Sequence, residues 1–535
     1  MILPRFERLR SPKVGLDIVY CPIFGINQAE AGIAARLSEV ERTYGVSILY
    51  GWRRFGEARC EVVLVDCAHM RQQQATEFTY YLWRHFQIDV ARYEFVEEFA
   101  RAVRAGQPIF AAVQALIAGQ GGRKILIAHD WLGLPTALAA ILNEPGHWRT
   151  AYYAHEMPTA RILAEDHPGH DTRFYNALFR AREAGLSMDD VFGNRDDFFK
   201  HMLLKRALAC DEILAVGDLV LEELRFMRYG FEWRPIRLVY NGVPGGSITV
   251  EEKLQSRRLL QDYTERLLGY RPDYIFTHVA RLVISKGLWR DLRVMEHVDR
   301  ALAARGRSGV LFLLTTAIPQ GRRSEDIWRW EREYGWPVKH RADNGDLIGP
   351  EIPFYVEGVQ RFNAQARASR VVLVNQFGWS RERCGERMPA EMSFVDLRRG
   401  SDLEFGQSIY EPFGIAQLEP LAYGALCVPG NICGCLGFVN RITQGRGADN
   451  IIIADYTTPP PHWSITSVQE ALAIDQQARD QIEIYNSAGI AHRIMQRLPA
   501  DAAALGALIQ RGEELSRAMS WEVVVRDYLL PALGM

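Results

Sequence analysis

Residues 408–426 read Ser408-Ile-Tyr-Glu-Pro-Phe-Gly-Ile-Ala-Gln-Leu-Glu-Pro-Leu-Ala-Tyr-Gly-Ala-Leu426. Pro412 and Gly414 predict a turn, and the apolar residues after it predict a helix. Such a helix directs free N–H groups and the positive end of its dipole at whatever lies in front of it. Glu411 lies on the loop, and Glu419 lies about two helical turns further on. The stretch therefore predicts an anion site with two carboxylates that can bind hydroxyl groups, and a diphosphate-linked sugar carries both kinds of group.

The composition is that of a globular protein with two or three domains. The chain has 535 residues, of which 48% are hydrophobic and 24% charged. A net charge of −2 gives no broad basic surface for nucleic acid or anionic membrane. The eight cysteines have no zinc-binding spacing, and we expect reduced thiols in a cytoplasmic protein. Residues 1–8 lack the apolar core of a signal peptide, and no apolar run is long enough to span a bilayer.

Short apolar runs followed by polar residues recur through the first half of the chain. Residues 16–24 predict a buried strand, and Gly25 then turns the chain into a helix at about 29–42. Strand, glycine turn and helix are the opening of a doubly wound α/β fold, in which ligands bind beyond the carboxyl ends of the strands. Two further runs, 124–128 and 151–154, end in polar residues that we expect at the same cleft. These candidate cleft residues are His129, Asp130 and His155.

The second half restarts the α/β pattern. The strand predicted at 274–280 is followed by Arg281-Leu-Val-Ile-Ser-Lys286-Gly287. Arginine grips phosphate oxygens bidentately and lysine supplies a point charge, so both suit a diphosphate. Between the halves, Asn241-Gly242 favours a β-turn, and we assign it to the region of the hinge, with Asn241 as a further candidate cleft residue.

These motifs together resemble retaining glycosyltransferases of the GT-B class, in particular the glycogen and starch synthases and the related nucleotide-sugar transferases. The resemblance rests on Glu411-Pro-Phe-Gly414 with Glu419, on the Arg281 to Lys286 motif, on His129-Asp130-Trp131 and on the Ser-Trp-Glu segment at residues 520–522. It implies an α/β fold of two doubly wound, Rossmann-like domains facing across a cleft. Residues 1–245 would form the acceptor-side domain, 246–505 the donor-side domain, and 506–535 a helix crossing back.

The resemblance also implies an activity: transfer of a hexose from a nucleotide diphosphate sugar, with retention, to a carbohydrate or other hydroxyl acceptor. The nucleotide sugar is then a substrate, and no cofactor or metal is required. The implied catalytic residues are His155, Arg281, Lys286 and Glu411. The implied donor-binding residues are Gly25, Phe413, Gly414, Ile415 and Glu419. Neither the nucleotide, the sugar, the acceptor nor the oligomeric state follows from the sequence.

Three departures from the family pattern keep alternatives open. The turn after Gly25 reads Asn27-Gln-Ala-Glu-Ala-Gly32 and lacks the lysine of glycogen synthases. Cys435 stands where the family has a glycine. A cysteine would be strained there if the backbone had a positive φ. Pro420 lacks an N–H and interrupts the predicted helix unless the helix begins there. The altered loops at Asn27 and Cys435 leave a catalytically degenerate regulatory or scaffold subunit as an alternative to a transferase. A nucleotide-sugar epimerase of the same architecture is a second alternative, but it needs catalytic carboxylates in the first domain, and the sequence shows no convincing set.

Overall fold

The sheet of the second half has the strand order of a dinucleotide-binding fold. A computed structural model describes Leu9 and residues 14–535 of the chain, so residues 1–8, on which the expectation about a signal peptide rests, lie outside the described part. The sheet is parallel, in the order β11-β10-β9-β12-β13. Two isolated parallel bridges add the segment 451–454 beside β13. Its strands are β9 (Tyr274–Val279), β10 (Gly309–Leu314), β11 (Ser369–Val374), β12 (Leu403–Gly406) and β13 (Leu426–Pro429).

The first half contains a parallel sheet of four strands in sequential order. All neighbours are parallel, and the first two strands match the apolar runs 124–128 and 151–154 that predicted them. They are β5 (Lys124–His129), β6 (Trp148–Ala154), β7 (Glu212–Ala215) and β8 (Ile236–Leu238). Because strand order sets which loops are neighbours, the residues after β5, β6 and β7 share one edge of the sheet.

The prediction that residues 16–24 open this parallel sheet is wrong. They belong to a separate antiparallel sheet, in the order β2-β1-β3-β4. Its strands are β1 (Leu16–Cys21), β2 (Ile26–Asn27), β3 (Ser47–Phe55) and β4 (Ala58–Asp66). Only Gly56 and Glu57 separate β3 from β4, and a two-residue connection can join only antiparallel strands.

Helices connect and cover these sheets. Those of the first half are Ala31–Tyr44, Gln72–Phe86, Glu97–Ile117, Asp130–Asn143, Pro158–Glu165, His170–Glu183, Met188–Phe192, Phe199–Lys205 and Asp218–Met227. Those of the second half are Val250–Leu268, Leu288–Ala304, Ser324–Tyr334, Glu351–Pro353, Arg361–Gln365, Arg381–Cys384, Phe394–Gly400, Cys435–Ile442, Val468–Leu472, Gln476–Arg497, Ala502–Ala518, Trp521–Val524 and Leu530–Ala532. Short 3₁₀ turns include Ile284–Lys286 and Glu419–Tyr423, and π-helical turns span Phe354–Gln360 and Val525–Leu529. Within the described residues, none of these helices has the length and apolar character to cross a membrane.

The two halves meet at the carboxyl ends of their parallel strands. The Tyr410 hydroxyl bonds the backbone of Met157, which follows β6. Gly217 follows β7, and a Cβ there would lie 2.7 Å from the Pro412 carbonyl oxygen. One apolar cluster contains residues of both halves, including Tyr240 stacked on Phe438 at 4.4 Å between ring centroids. Two α/β halves with facing strand ends form the GT-B architecture that the sequence predicts.

The end of the chain lies against the first half. The Val243 N–H donates to the Met519 carbonyl at 2.8 Å, and Tyr240 makes an edge contact with Tyr528. Gly242 has no room for a side chain, because a Cβ there would lie 2.4 Å from the Trp521 ring. The Asn241-Gly242 pair therefore serves close approach of the returning chain rather than the tight β-turn that the dipeptide favours.

Candidate active site

The candidate site lies where the second sheet changes direction. Strand β9 pairs with β10 on one side and with β12 on the other, so the chain leaves the ends of β9 and β12 toward opposite edges. In open α/β sheets this divergence leaves a crevice beyond the strand ends, where ligands bind. The loop after β9 carries Arg281 and Lys286, and the loop after β12 carries Glu411. Sheet topology therefore brings together residues that lie more than 120 positions apart in sequence.

Lys286 and Glu411 form an ion pair at this crevice. The Lys286 Nζ lies 2.5 Å from Glu411 Oε2, and the two side chains are 19% and 13% exposed. The same carboxylate oxygen accepts hydrogen bonds from the Ser408 hydroxyl at 3.2 Å and the Gln417 amide at 2.9 Å. Three donors therefore hold one oxygen of Glu411 in place, while the side chain remains partly accessible from the crevice.

Glycines allow the two loops to approach each other. Gly287 ends the turn that carries Lys286, with φ +59°, and a Cβ there would lie 2.4 Å from the Gln407 carbonyl oxygen. Gly414 has φ +86°, and a Cβ there would lie 2.8 Å from Glu411 Cγ. Residues other than glycine disfavour this left-handed conformation. Both glycines are thus required by the backbone that presents Lys286 and Glu411.

Arg281, the second predicted cation, is exposed on the loop after β9. In the described part of the chain its side chain has neither an ion-pair partner nor a hydrogen bond, and only its carbonyl is engaged, by the Val283 N–H at 2.9 Å. An unneutralised guanidinium beside a paired lysine gives this edge of the crevice a positive charge. Such an edge attracts anions.

The apolar helix predicted after Gly414 is absent. Residues 416–418 form a turn, and a 3₁₀ helix of five residues, Glu419–Tyr423, follows with Pro420 in its first turn. Pro420 cannot donate a hydrogen bond within a longer helix and would clash with the preceding turn, so it is tolerated only in the first turn of a helix. Glu419 is consequently the first residue of a short helix. The prediction that the dipole of a long helix contributes to anion binding here is therefore wrong.

Glu419 points toward a buried arginine. Its Oε2 lies 3.2 Å from the Arg398 Nη2, and the Glu419 side chain is 35% exposed. Arg398 also pairs with the buried Glu404 on β12. The exposed edge of Glu419 leaves carboxylate lone pairs available for hydroxyl groups of a ligand.

On the other side of the cleft, two histidines and an aspartate form a cluster. His129 is the last residue of β5 and His155 follows β6. The His129 Nδ1 lies 2.7 Å from the His155 Nε2, with the rings stacked. Asp130 Oδ1 accepts the His155 backbone N–H at 2.7 Å. The sequence thus predicted this neighbourhood correctly from the strand ends alone.

Burial shifts the charge states of this cluster. Burial lowers the pKa of His155 to about 4, with a further contribution from His129. Burial raises the pKa of Asp130 to about 7. His155 is therefore neutral at physiological pH, and its ring can exchange hydrogen bonds with a ligand hydroxyl without adding a positive charge.

The other residues that the sequence predicts to bind the nucleotide-sugar donor are either buried in an apolar cluster or lie on the antiparallel sheet. The Phe413 ring is 3% exposed and packs near Tyr240 and Phe438, and Ile415 is partly buried against the same cluster. Gly25, with φ +68°, lies exposed in the antiparallel β1–β2 hairpin, with open space where a side chain would be. The Phe413 and Ile415 side chains therefore belong to the apolar cluster, and Gly25 lies on a different sheet from the one that carries Lys286 and Glu411.

Cys435 does not have the strain that its replacement of glycine predicted. Gly434 has φ −62° and caps the helix Cys435–Ile442. A Cβ at Gly434 would lie 1.8 Å from the Pro412 carbonyl oxygen, so Gly434 is the position that needs a glycine. The Cys435 thiol lies buried, 3.2 Å from the Cys433 sulfur.

Three residues near the site are not predicted by the sequence. Arg290 is fully buried and bidentate to Asp171 of the first half, at 2.6 and 3.0 Å, and it also donates to Glu483. Tyr410 and Glu223 bond each other across the two halves at 3.1 Å. Arg290 lies four residues after Lys286 on the same motif, and Tyr410 directly precedes Glu411, so proximity to the motifs was the available signal. Glu223 has no local signal of this kind.

The fold and these loops define a two-domain α/β protein with a polar site at a sheet switch point. Neither a protein-family model nor a curated protein matches the sequence. Solved structures similar to the chain include sucrose-phosphate synthase from Thermosynechococcus elongatus, with 17% identity over 79% of this chain and 76% of that one and a TM-score of 0.43. A UDP-forming α,α-trehalose-phosphate synthase from Burkholderia xenovorans has 12% identity, coverage of 91% and 90%, and a TM-score of 0.47. The catalytic domain of starch synthase IV from Arabidopsis thaliana, bound to ADP and acarbose, has 13% identity, coverage of 90% and 85%, and a TM-score of 0.41.

Proposed function

We propose that the protein is a glycosyltransferase that moves a hexose, with retention, from a nucleotide diphosphate sugar to a carbohydrate or other hydroxyl acceptor. The observation that carries the proposal is the Lys286–Glu411 pair at the switch point of the second sheet. In this pair, a cation suited to binding phosphate lies within hydrogen-bonding distance of a carboxylate suited to binding hydroxyl groups. The polar groups of His129, Asp130 and His155 lie at the strand ends that face this loop.

The two cations act on the leaving group. As the bond between sugar and diphosphate breaks, negative charge grows on the diphosphate. Lys286 and Arg281, both on the loop after β9, stabilise that charge more in the transition state than in the bound ground state. Because the cations come from the chain itself, the proposal requires neither a metal ion nor a cofactor.

The carboxylates and the histidine orient the donor. Glu411 binds sugar hydroxyls once the diphosphate competes for Lys286. Glu419, whose side chain is partly exposed beside Arg398, binds the ribose hydroxyls. Neutral His155 contacts the far side of the sugar. These roles place catalytic groups on both halves, and water is excluded where the halves meet.

We further propose a cytoplasmic location. Within the described residues, the cysteines from Cys60 onward form no disulfide bond, and disulfide bonds form and persist mainly in oxidising compartments.

A screen of nucleotide diphosphate sugars tests the function. Each candidate donor is titrated calorimetrically into the parent protein and into Lys286→Ala, and turnover with a mixed panel of sugar acceptors is followed by release of nucleoside diphosphate. NMR of the product then gives its anomeric configuration, and retention is expected. Interconversion of the donor without transfer would favour an epimerase. Absence of both binding and turnover across the panel would overturn the proposal in favour of a scaffold protein.

A further inference from the structure

Two arginines cover the outer edge of the parallel sheet in the second half. The segment 451–454 forms this edge, and its alternate N–H groups donate to β13 at 2.9 Å. The carbonyls of Ile451 and Ile453 therefore face outward, where an edge strand needs other partners. The Arg497 Nη1 donates to the Ile451 carbonyl at 2.6 Å, and the Arg493 Nη2 donates to the Ile453 carbonyl at 3.0 Å. Both guanidinium groups are thereby held in fixed positions.

These contacts neutralise neither arginine. A guanidinium has five N–H donors, and backbone carbonyls engage one nitrogen of each side chain. Arg493 and Arg497 lie four residues apart on the helix Gln476–Arg497, where like charges repel each other. Burial and the charge of Arg497 lower the pKa of Arg493, and the charge of Asp455 opposes this shift. Neither arginine forms an ion pair in the part of the chain that the structure describes.

A cavity of about 430 Å³ opens beside these two side chains, and four arginines line it. This volume suits a small organic molecule. Arg446 reaches the cavity from the loop before the edge segment, and Arg511 reaches it from the helix Ala502–Ala518. The lining also includes Asp449 and the isoleucines 451–453. We call this space the arginine cavity.

The charges around the arginine cavity do not balance. Arg446 donates its Nε to the Thr443 carbonyl at 3.3 Å and has no ion-pair partner among the described residues. Arg511 pairs with Glu514 at 3.2 Å, but the two side chains are 43% and 52% exposed, so water screens this pair. Among the described residues, Asp449 supplies the only carboxylate of the lining. Four guanidinium groups therefore face two carboxylates.

A phosphate monoester matches this excess of positive charge. It carries about −1.5 to −2 at pH 7 and offers three acceptor oxygens. Guanidinium groups bind such oxygens through paired, charge-assisted hydrogen bonds. The isoleucine wall, in which Ile453 is 46% exposed, offers apolar surface that an organic group can cover and that inorganic phosphate cannot use.

We propose that the arginine cavity binds a small organic molecule that carries a phosphate monoester, held by Arg446, Arg493 and Arg497. The bound phosphate removes the repulsion between the two helix arginines and links the edge segment to their helix. The site is separate from the crevice, because its lining contains no residue of the loops after β9 and β12 among those that the structure describes. The inference does not depend on the function proposed above.

Calorimetric titration with glycerol 3-phosphate and with inorganic phosphate tests the site. We expect the parent to bind one glycerol 3-phosphate per chain and to bind inorganic phosphate more weakly. Arg493→Gln and Arg446→Gln should each weaken binding about 10- to 100-fold, because each removes a charge-assisted hydrogen bond. Arg446 is exposed on its loop, so its replacement tests the site even if Arg493→Gln loosens the sheet edge.

Arg370→Gln is the matched control. Arg370 is half-buried on β11, at the opposite edge of the same sheet, and donates to the carbonyls of Ala366 and Ser369 at 2.9 and 2.7 Å. It lies outside the lining of the arginine cavity, so this variant should bind glycerol 3-phosphate as the parent does. Lys286→Ala should also bind it as the parent does, which distinguishes the arginine cavity from the crevice.

Hydrogen exchange locates the bound probe. Saturating glycerol 3-phosphate should slow exchange in peptides covering 444–453 and 489–498 and leave peptides covering 408–414 unchanged. Binding that survives in both Arg493→Gln and Arg446→Gln, or that is lost in Lys286→Ala, overturns the proposal, and so does the absence of saturable binding of both probes. Equal or tighter binding of inorganic phosphate overturns the organic part and assigns the site to free phosphate. None of these outcomes depends on whether a nucleotide sugar turns over.

Discussion

Lys286 is the residue on which the proposed chemistry depends most directly. Its ammonium lies on the turn after β9 and is held by Glu411 at 2.5 Å. A preorganised cation stabilises the developing charge of a leaving diphosphate, and removal of one such group typically lowers turnover on the order of 10²–10³-fold. We expect Lys286→Ala to lose activity on this scale while nucleoside binding, which involves no phosphate, stays unchanged. Steady-state kinetics and calorimetric titration with nucleoside and nucleoside diphosphate measure the two effects.

A matched control is available for this substitution. Lys124 begins β5, at the opposite end of that strand from His129, and pairs with Glu144 at 3.9 Å, so Lys124→Ala removes a paired lysine away from the site. Glu411 retains Ser408 and Gln417 as donors in Lys286→Ala, so the fold should survive. Turnover of Lys286→Ala within a few-fold of Lys124→Ala would disprove the phosphate role.

The two glutamates of the 408–426 stretch should differ in what they affect. Glu419→Ala is expected to weaken nucleoside diphosphate and intact donor equally, because its carboxylate is assigned to the ribose. Glu411→Ala is expected to lower kcat more than nucleotide affinity, because its carboxylate is assigned to the sugar. Calorimetry and kinetics on both variants separate the roles, and equal losses of nucleotide affinity would disprove the assignment.

At the scale of residues, the sequence predicts contacts between motifs of one sheet better than contacts between the two halves of the molecule. Lys286 and Glu411 each lie in a recognisable pattern after a strand, so their meeting at one edge of a sheet follows from topology. Tyr410 and Glu223 meet only because two halves of the chain pack together. A glutamate in the amphipathic helix Asp218–Met227 resembles a solvent-exposed one until that packing is known.

Among the elements, the tight loops matter more than the helix that the sequence predicts after Gly414. Pro420 allows only the short turn Glu419–Tyr423. The local signals that favour a longer helix, namely apolar spacing after a glycine, are outweighed by one missing N–H. The nine-residue strands β3 and β4 are the opposite case. Their Gly56-Glu57 connection is a hairpin signal that the parallel pattern elsewhere obscured.

The loop after β9 offers a direct test of close packing between elements. Gly287→Ala combines a left-handed backbone, φ +59°, with a Cβ only 2.4 Å from the Gln407 carbonyl oxygen. Gly269→Ala has a similar φ of +79° but nothing within 4 Å. We expect Gly269→Ala to lower the free energy of unfolding by about 1–2 kcal/mol and Gly287→Ala to lower it by about 1–3 kcal/mol more. Urea unfolding compares them, and equal losses would show that the loop after β12 moves aside freely.

The whole molecule is held together by groups that belong to both halves. The apolar cluster around Tyr240 and Phe438 is shared, and Arg290 joins Asp171 of the first half to Glu483 near the end of the chain. The division into two α/β halves could be predicted from repeated strand and helix patterns. The buried polar contacts between the halves could not, because they depend on how two complete surfaces fit.

Glu223, buried between the halves, should make the stability of the molecule depend on pH. Burial raises its pKa from an ordinary value of 4.5 to about 8. Between those values the folded protein keeps a proton that the unfolded chain releases, so the free energy of unfolding falls as pH rises, by at most about 1.4 kcal/mol per pH unit. Asp130, whose pKa is raised to about 7, contributes in the same direction, so measurements on the parent protein alone cannot assign the effect to Glu223.

The variant Glu223→Gln has no proton to lose at this position. Its free energy of unfolding relative to the parent is therefore expected to increase steadily from pH 5 to pH 8 in urea unfolding experiments. The control variant Tyr263→Phe removes a buried phenol hydrogen bond to the Cys384 carbonyl, and it should differ from the parent by a constant amount. A constant difference for Glu223→Gln would mean that the carboxylate ionises normally and that the two halves accommodate its charge.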